Sequence, residues 1–148
     1  MTQFYNEYSK VLVSVDCIIF GFNGNNLQVL IGKRKMDPGR GEWSLYGGFV
    51  GATENLEDAA NRVILELTGM KNLYIRQVGA FGRIDRDPGE RVISIAYCAL
   101  LVSLSHNIQS VLVAEIIPAR IVWIVAGTNG IDVHALHYHD VLNHALLT

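Results

Sequence analysis

A single amphipathic helix, predicted between residues 55 and 69, constrains the fold of this chain more than any other segment. Asn55 is a suitable N-cap, Asp58 stands at the capping-box position, and Gly69 is a natural stop. Four apolar residues fall within one narrow arc at about 100° per residue, namely Leu56, Ala60, Val63 and Leu67. The helix can therefore bury one stripe, and it needs a second layer to pack against.

Most other patterned segments are typical of strands, because they are short, apolar and bounded by turn residues. The predicted strands are Val11–Phe20, Leu27–Arg34, Trp43–Val50, 73–81, 91–103 and Val111–Val125. Asn23-Gly24 separates the first two strands and predicts a hairpin, and His134–Leu147 is predicted to form a closing helix. We expect one α+β domain over residues 1–148.

Composition narrows the class of protein. Charged residues make up 18% of the chain and the formal net charge is −2, which argues against a free-standing nucleic-acid binder. The polar N-terminus has no apolar signal region, so we expect a cytoplasmic location. Val92–Leu104 is too short for a membrane span. Cys17 and Cys98 lie in apolar runs and are expected to be buried free thiols.

The segment from Gly48 reads GFVGATENLEDAANRVILELTGM and resembles the Nudix signature G-x5-E-x7-R-E-U-x-E-E-x-G-U, where U is a bulky aliphatic residue. The matching residues are Gly48, Glu54, Arg62, Ile64, Glu66, Gly69 and Met70. Val63 and Leu67 stand where the family has Glu, and Tyr46 replaces the family's usual Pro before the Gly pair. The resemblance implies the Nudix fold, a mixed β-sheet sandwiched between helices.

The signature has a chemical purpose that this chain only partly retains. Three Glu residues at i, i+3 and i+4 share one helix arc and can hold hard divalent cations. Nudix hydrolases use Mg²⁺ or Mn²⁺ in this way to cleave nucleoside diphosphates linked to another group. Here the arc holds Val63, Glu66 and Leu67, so Glu66 is the candidate for any residual catalysis and for weak Mg²⁺ or Mn²⁺ binding. Whether the chain is an enzyme stays open.

Other signature residues have structural interpretations. The resemblance implies that Glu54 and Arg62 lock a loop to the helix and that Gly69 ends it. The alternative is an ordinary helix-surface pair between Arg62 and Glu66, four residues apart. A late group, His137, Asp140 and His144, falls on one predicted helix face and is interpreted as surface or interface rather than a metal site.

A second cluster, Phe81–Arg91, combines a turn, an aromatic ring and three arginines. It is either a ligand-contacting loop, since Arg binds phosphates and stacks on rings, or a solvated hairpin tip. On the first interpretation the predicted ligand-binding residues are Arg34, Trp43, Gly47, Gly48, Phe81, Arg83, Arg86 and Arg91.

Three segments, Gly41–Leu45, Arg62–Gly69 and Gly79–Arg91, are similar to the Nudix-related transcriptional regulators. The resemblance implies a homodimeric sensor whose effector is ADP-ribose, another nucleotide sugar or a sugar. In those regulators a C-terminal winged helix binds DNA. This chain ends at Thr148 without one, so it is expected to be either the sensor fragment or a stand-alone relative, contacting neither membrane nor nucleic acid itself.

Two alternatives to the sensor remain. The chain could be an Mg²⁺-dependent hydrolase that recruits carboxylates from elsewhere, the candidates being Glu42, Glu57, Glu90 and Glu115. It could also be an assembly module without a small ligand. The latter is suggested by Val92–Ile131, where Glu115 and Arg120 are the only charged residues.

Overall fold

The computed structural model describes residues 4–22, 25, 27–102 and 121–125. Its elements are β1 (Leu12–Phe22), β2 (Leu27–Lys33), β3 (Trp43–Ser44), β4 (Tyr46–Phe49), α1 (Leu56–Thr68), β5 (Ile75–Phe81), β6 (Val92–Val102) and β7 (Ile121–Val125). The predicted Asn23-Gly24 turn, the first part of the predicted strand Val111–Val125 and the predicted helix His134–Leu147 lie outside the described residues. Within them, no helix is long and apolar enough to cross a membrane.

The sheet is mixed, which confirms the predicted α+β class. Its main path runs β3-β2-β1-β6-β5, with β4 also pairing with β1 and β7 with β2. The pairing of β1 with β6 is parallel and extends from Leu12↔Val92 to Phe22↔Val102, while the other strand pairs are antiparallel. Because β6 is paired on both edges, the start of the uncharged stretch from Val92 is a central core strand.

Strands β1 and β2 pair at one end and then diverge, and we call the gap between them the fork. β1 pairs with β2 at Phe20–Phe22 but with β4 at Ser14–Cys17. β2 pairs instead with β3 at Gly32 and Lys33. The predicted single strand Trp43–Val50 is therefore two short strands, because its partner changes from β2 to β1 at Leu45.

Alternation along β1 builds two core clusters. Val15, Cys17 and Ile19 pack in the cluster that includes the α1 residues Ala60 and Val63. Ile18 and Phe20 belong to the second cluster. Cys17 is buried and Cys98 half-buried, both are free thiols, and burial raises the pKa of Cys17 to about 12.

Both predicted ends of α1 are confirmed, since Asn55 is the N-cap residue and Gly69 the C-cap residue, but the expected side-chain capping bond at Asn55 is missing. Gly69 adopts φ 75° and its backbone N–H donates to Leu65 O at 2.8 Å. The Asn55 side chain makes no capping hydrogen bond to the backbone. Its Nδ2 donates to Asp58 Oδ2 at 2.8 Å, which ties the side chain to the first turn of α1. The acidic residues of the first turn still favour the helix N-terminus electrostatically.

Candidate functional site

A cavity of about 670 Å³ lies at the fork. It is lined by residues from β1, from β2 and the loop after it, from the Ser44–Phe49 segment that fills the fork, from α1 and from the loop before β6. A volume of this size suits a small-molecule ligand, since such sites usually measure roughly 300–1,000 Å³. The divergence of β1 and β2 therefore creates a concave site where an unbroken sheet would leave a flat surface.

The cavity contains some of the predicted ligand-binding residues and not others. Arg34, Gly47, Gly48 and Arg86 line it. Trp43 does not line it, and its ring lies 5.1 Å from Lys33 Nζ, which is a cation–π contact at the edge of the cavity.

The segment Phe81–Arg91 was interpreted either as a ligand-contacting loop or as a solvated hairpin tip, and its residues do not all fit the same interpretation. Arg83 lies outside the cavity and forms an exposed ion pair with Asp85 at 3.0 Å. Arg91 Nη1 donates to the Gly82 and Arg83 carbonyl oxygens at 2.8 and 3.0 Å. Phe81 packs against the second core cluster. Arg83 and Arg91 therefore fit the solvated hairpin better, Phe81 belongs to the edge of the core, and Arg86 is buried.

Arg86 forms a buried ion pair with Asp16, a residue that sequence reasoning missed. Arg86 Nη2 lies 2.7 Å from Asp16 Oδ2, and Ser94 Oγ donates to the same oxygen. Burial raises the pKa of Asp16, and the Arg86 charge and both hydrogen bonds oppose that rise. Asp16 is the only charged residue in the apolar run Val11–Phe20, and that isolation was a usable signal.

Gly47 and Gly48 lie between the ion pair and the helix. Gly47 faces Asp16 across the β1–β4 pairing, and a Cβ on Gly47 would lie 2.5 Å from Asp16 Oδ1. A Cβ on Gly48 would lie 2.8 Å from Val63 Cγ2. Any larger residue would force one of these neighbours to move, so the glycine pair allows β4 to lie against both.

The charged and polar lining residues separate by exposure. Lys33 and Lys35 are exposed and Arg34 is half-buried, and we call these three residues the mouth of the cavity. Asp16 and Tyr46 are buried on opposite faces of the sheet, with Arg86 buried against Asp16, and Asp87 is a half-buried carboxylate in the lining. Lys33, Lys35, Tyr46 and Leu67 were not among the predicted site residues, because only the folded chain shows which of the residues beside β2 and on α1 face one cavity.

The retained signature residues hold the loop before α1 against the helix. Arg62 Nε lies 2.6 Å from Glu54 Oε1, and Arg62 Nη2 donates to Glu54 Oε2 at 3.0 Å and to Phe49 O at 2.9 Å. Glu54 Oε2 also accepts from Gly51 N at 2.8 Å. These hydrogen bonds, first the one from Arg62, lower the pKa of Glu54 to about 2.

Replacing Glu54 with Gln is expected to remove part of the acid sensitivity of stability. The pKa of Glu54 is depressed in the folded state, so its stabilising effect is present above pH 4.5 and is lost as the pH falls towards about 2. Urea unfolding at several pH values should show a smaller acid-induced loss in Glu54→Gln than in the wild type. Glu7→Gln, at an exposed N-terminal carboxylate, is the control. Parallel curves for wild type and Glu54→Gln would contradict the prediction.

The described residues do not fit a multi-ligand metal site. The Nudix hydrolases whose signature this chain resembles use divalent metals such as Mg²⁺ or Mn²⁺. Glu66 does not line the cavity, is 58% exposed and lies 3.4 Å from Arg62 Nη1. Val63 faces the core, and Leu67 lines the cavity with an apolar side chain. In the described part of the chain, no three His, Cys, Asp or Glu residues converge on a possible cation position.

The carboxylates considered as substitutes do not complete such a site. Glu42, Glu57 and Glu90 all lie outside the cavity lining. Glu57 accepts a hydrogen bond from Tyr97 Oη at 3.2 Å, and Glu90 accepts one from its neighbour's backbone N–H at 3.3 Å. Glu115 falls outside the described residues, as do the three late residues His137, Asp140 and His144.

Two known proteins are similar to this chain in sequence. The ADPR responsive transcriptional repressor NtrR of Acinetobacter baylyi is 36% identical over 98 residues, which is 65% of this chain and 39% of the repressor. The ADP-ribose pyrophosphatase of Methanocaldococcus jannaschii is 39% identical over 93 residues, 63% of this chain and 53% of that enzyme. The chain thus matches only about half, or less, of these relatives' lengths.

Two further matches concern the fold and the family. The NUDIX domain of Shewanella oneidensis NrtR, solved in complex with ADP ribose, has a TM-score of 0.77 and 26% identity, with 100% of both chains covered. The family model described as the NUDIX domain matches residues 10–126. Because that match extends over most of the sequence, the chain belongs to the NUDIX domain family.

Proposed function

We propose that this chain is an effector-binding Nudix domain that takes an ADP-ribose-like nucleotide sugar into the cavity and hydrolyses it slowly or not at all. The observation that carries the proposal is the pair Val63 and Leu67. Both occupy signature positions where the family places metal-binding carboxylates, and both are used for apolar packing or cavity lining. Glu66 is then at most a weak ligand for Mg²⁺ or Mn²⁺.

The cavity's charge distribution supports this ligand class. The mouth carries three consecutive cations, Lys33, Arg34 and Lys35, which complement the two negative charges of a pyrophosphate. Such complementarity does not require a metal ion. The relatives support the same class, since one is a repressor responsive to ADPR and another a pyrophosphatase acting on ADP-ribose.

The proposal extends to the chain's role in the cell. As a single sensor domain of a transcriptional regulator, it would bind its effector in the cytoplasm and pass the signal on through a homodimer. Contacts with DNA would then be made by another part of the regulator. The low share of charged residues and the net charge of −2 support a domain that does not itself bind nucleic acid.

A metal-dependent hydrolase is the second candidate, and the match to the pyrophosphatase favours it. This candidate requires that Glu66 leave its ion pair with Arg62 and that further carboxylates join it. Two carboxylates, Asp16 and Asp87, line the cavity, but Asp16 is paired with Arg86, and no three His, Cys, Asp or Glu residues in the described part of the chain could hold a metal ion together. The effector-binding function therefore accounts for more of the observed geometry.

Binding without turnover is the expected behaviour. In calorimetric titrations with EDTA present, ADP-ribose should bind saturably, because the mouth supplies the cationic charge. In parallel incubations with Mg²⁺ or Mn²⁺, a panel of ADP-ribose, nucleotide sugars and dinucleotides should remain intact by mass spectrometry. Glu66→Gln is the control variant. Products formed by the wild type but absent with Glu66→Gln would instead establish the hydrolase.

A further inference from the structure

One aromatic side chain in the cavity lining is open to solvent. The described chain contributes two aromatic residues to the lining, of which Tyr46 is 5% exposed and Phe49 is 53% exposed. Contact between a large apolar side chain and water costs free energy, and a ligand that covers the ring recovers it. Because half of the Phe49 side chain is already accessible, a ligand can reach the ring without any movement of the protein.

The backbone around Phe49 is fixed by hydrogen bonds. The carbonyl oxygen of Phe49 accepts from Arg62 Nη2 at 2.9 Å, and the next backbone N–H, that of Val50, donates to Val13 O at 2.9 Å. Neither of these bonds uses the phenyl ring. The ring is therefore held on a preorganised strand end, and little backbone freedom is lost when a ligand covers it.

The strand register places the ring on the same face of the sheet as Asp16. Directly opposite residues of an antiparallel pair point to one face, and every second residue along a strand returns to that face. Phe49 lies opposite Ser14. Gly47, two residues earlier on β4, lies opposite Asp16 and is exposed as well. This face of β4 is therefore open from Gly47 to the ring.

The mouth reaches the same face of the sheet. Lys33 follows Ile31 of the second core cluster by two positions on β2, so it points to that face. Burial raises the pKa of Asp16, and the charge of Arg34 is among the influences that oppose the rise, so Arg34 lies near Asp16. Two residues along a strand span about 7 Å. The ring thus lies about that far beyond Gly47, which leaves room for a ribose between the mouth and the ring.

We propose that the Phe49 ring stacks on the base of the bound nucleotide sugar, while the mouth binds its pyrophosphate. The faces of a base are planar and apolar, like those of the ring, and such stacking contributes to affinity for every base. A sugar in the same place would bring hydroxyl groups to a side chain that can neither donate nor accept a hydrogen bond. The half-buried Ser14, opposite Phe49, offers one hydroxyl to a polar group of the nucleotide.

This inference rests on the proposed function and specifies the ligand more closely. If the ring binds a base, the effector is a nucleotide, and a plain sugar or sugar phosphate lacks the group that Phe49 recognises.

The test compares Phe49→Ala with Phe49→Trp in calorimetric titrations with EDTA present. Phe49→Ala removes the ring, so its affinity for ADP-ribose should fall about tenfold or more. Its affinity for inorganic pyrophosphate and for ribose 5-phosphate should stay unchanged, since neither probe carries a base. Phe49→Trp keeps a stacking surface and should bind ADP-ribose as tightly as the wild type. Its fluorescence should change more than that of the wild type when ADP-ribose is added, and should not change more when pyrophosphate is added.

Phe22→Ala is the matched control. Phe22 is a strand phenylalanine that is 46% exposed, and it lies outside the cavity lining. Its replacement should leave the three affinities unchanged. Both alanine variants should fold, because each removes a ring that is about half exposed, and their midpoints of thermal unfolding should shift by similar small amounts.

The outcomes separate this inference from the function on which it rests. If the wild type binds ADP-ribose and Phe49→Ala binds it equally well, the base lies elsewhere and only this inference is overturned. An equal loss of affinity for ADP-ribose and ribose 5-phosphate would place a sugar on the ring, and an equal loss for pyrophosphate would place a phosphate there. Either result overturns the inference and leaves the proposed function intact. If the wild type binds neither ADP-ribose nor pyrophosphate, the proposed function is itself overturned, and this inference with it.

Discussion

Replacing Arg86 with Ala is expected to lower the free energy of unfolding by about 3–5 kcal/mol, because Asp16 would stay buried and lose its cationic partner. Urea unfolding at neutral pH measures the loss. Arg83→Ala is the matched control from the same loop. Arg83 and Asp85 are exposed, so breaking their pair should cost no more than about 1 kcal/mol.

The pH dependence of the unfolding free energy provides a second, independent test of this prediction. Burial raises the pKa of Asp16, and removing Arg86 removes the largest opposing influence. When the pKa of a carboxyl is higher in the folded than in the unfolded state, its contribution to stability is most favourable at a pH below the unfolded pKa. That contribution is lost as the pH rises through the folded pKa. The loss of unfolding free energy in Arg86→Ala relative to the wild type should therefore be smaller at about pH 4 and larger at about pH 8.

A double variant separates loss of the charge pair from loss of packing. Asp16→Asn combined with Arg86→Met replaces the pair with neutral side chains and leaves no unpaired buried charge. It should be clearly more stable than Arg86→Ala alone at neutral pH. Equal losses in Arg86→Ala and Arg83→Ala would show that the buried pair contributes no more than the exposed one.

Val63→Glu, which restores a signature carboxylate, is expected to cost a similar 3–5 kcal/mol or so at neutral pH. Val63 is 2% exposed, belongs to the core cluster around α1, and approaches Gly48 closely. Leu67→Glu is the matched control one turn later on α1. Leu67 is only half-buried, so its replacement should cost about 1 kcal/mol.

Acid and metal should each reduce this penalty. Burial raises the folded pKa of the introduced carboxyl, so the unfolding free energy of Val63→Glu should be closer to that of the wild type at about pH 4 than at about pH 8.

In the double variant Val63→Glu with Leu67→Glu, the three carboxylates of the signature are present again. Calorimetric titration should show tighter Mg²⁺ binding than in the wild type, and the cation should recover stability by binding the native state. Unchanged Mg²⁺ affinity would mean that the surroundings of the helix have diverged as well.

The sequence predicted the elements well where the signal was local. Apart from Val111–Val125, whose first part lies outside the described residues, the predicted extended segments begin and end within a few residues of the observed strands, because apolar runs and the breakers between them are local properties. The helix and its end at Gly69 were predictable for the same reason. The division at Leu45 was not, because it depends on which strand lies beside each half of the segment. Likewise, the sequence placed Asn55 at the start of the helix, but it did not show that the side chain would bond Asp58 and make no capping bond to the backbone.

The site was predictable only in part. The loss of metal ligands at Val63 and Leu67 followed from spacing alone, because a helix fixes which positions share a face. The burial of Arg86 did not, since the same loop contains Arg83 and Arg91, and only the tertiary fold selects the one that meets Asp16. That meeting depends on the parallel register of β1 with β6, which also places Ser94 beside Asp16.

The parallel pairing of β1 with β6 also has a consequence for the order of folding. Leu12 lies opposite Val92, so most of the described chain must be made and brought back before the two central strands can meet. The closure entropy of that long loop opposes the step until the contacts across it form. We therefore expect the hairpin-like pairs, β1 with β2 and β5 with β6, to form early, and their docking through β1 and β6 to limit the folding rate. The cavity at the fork is complete only after that docking, because Asp16 and Arg86 come from the two halves that it joins.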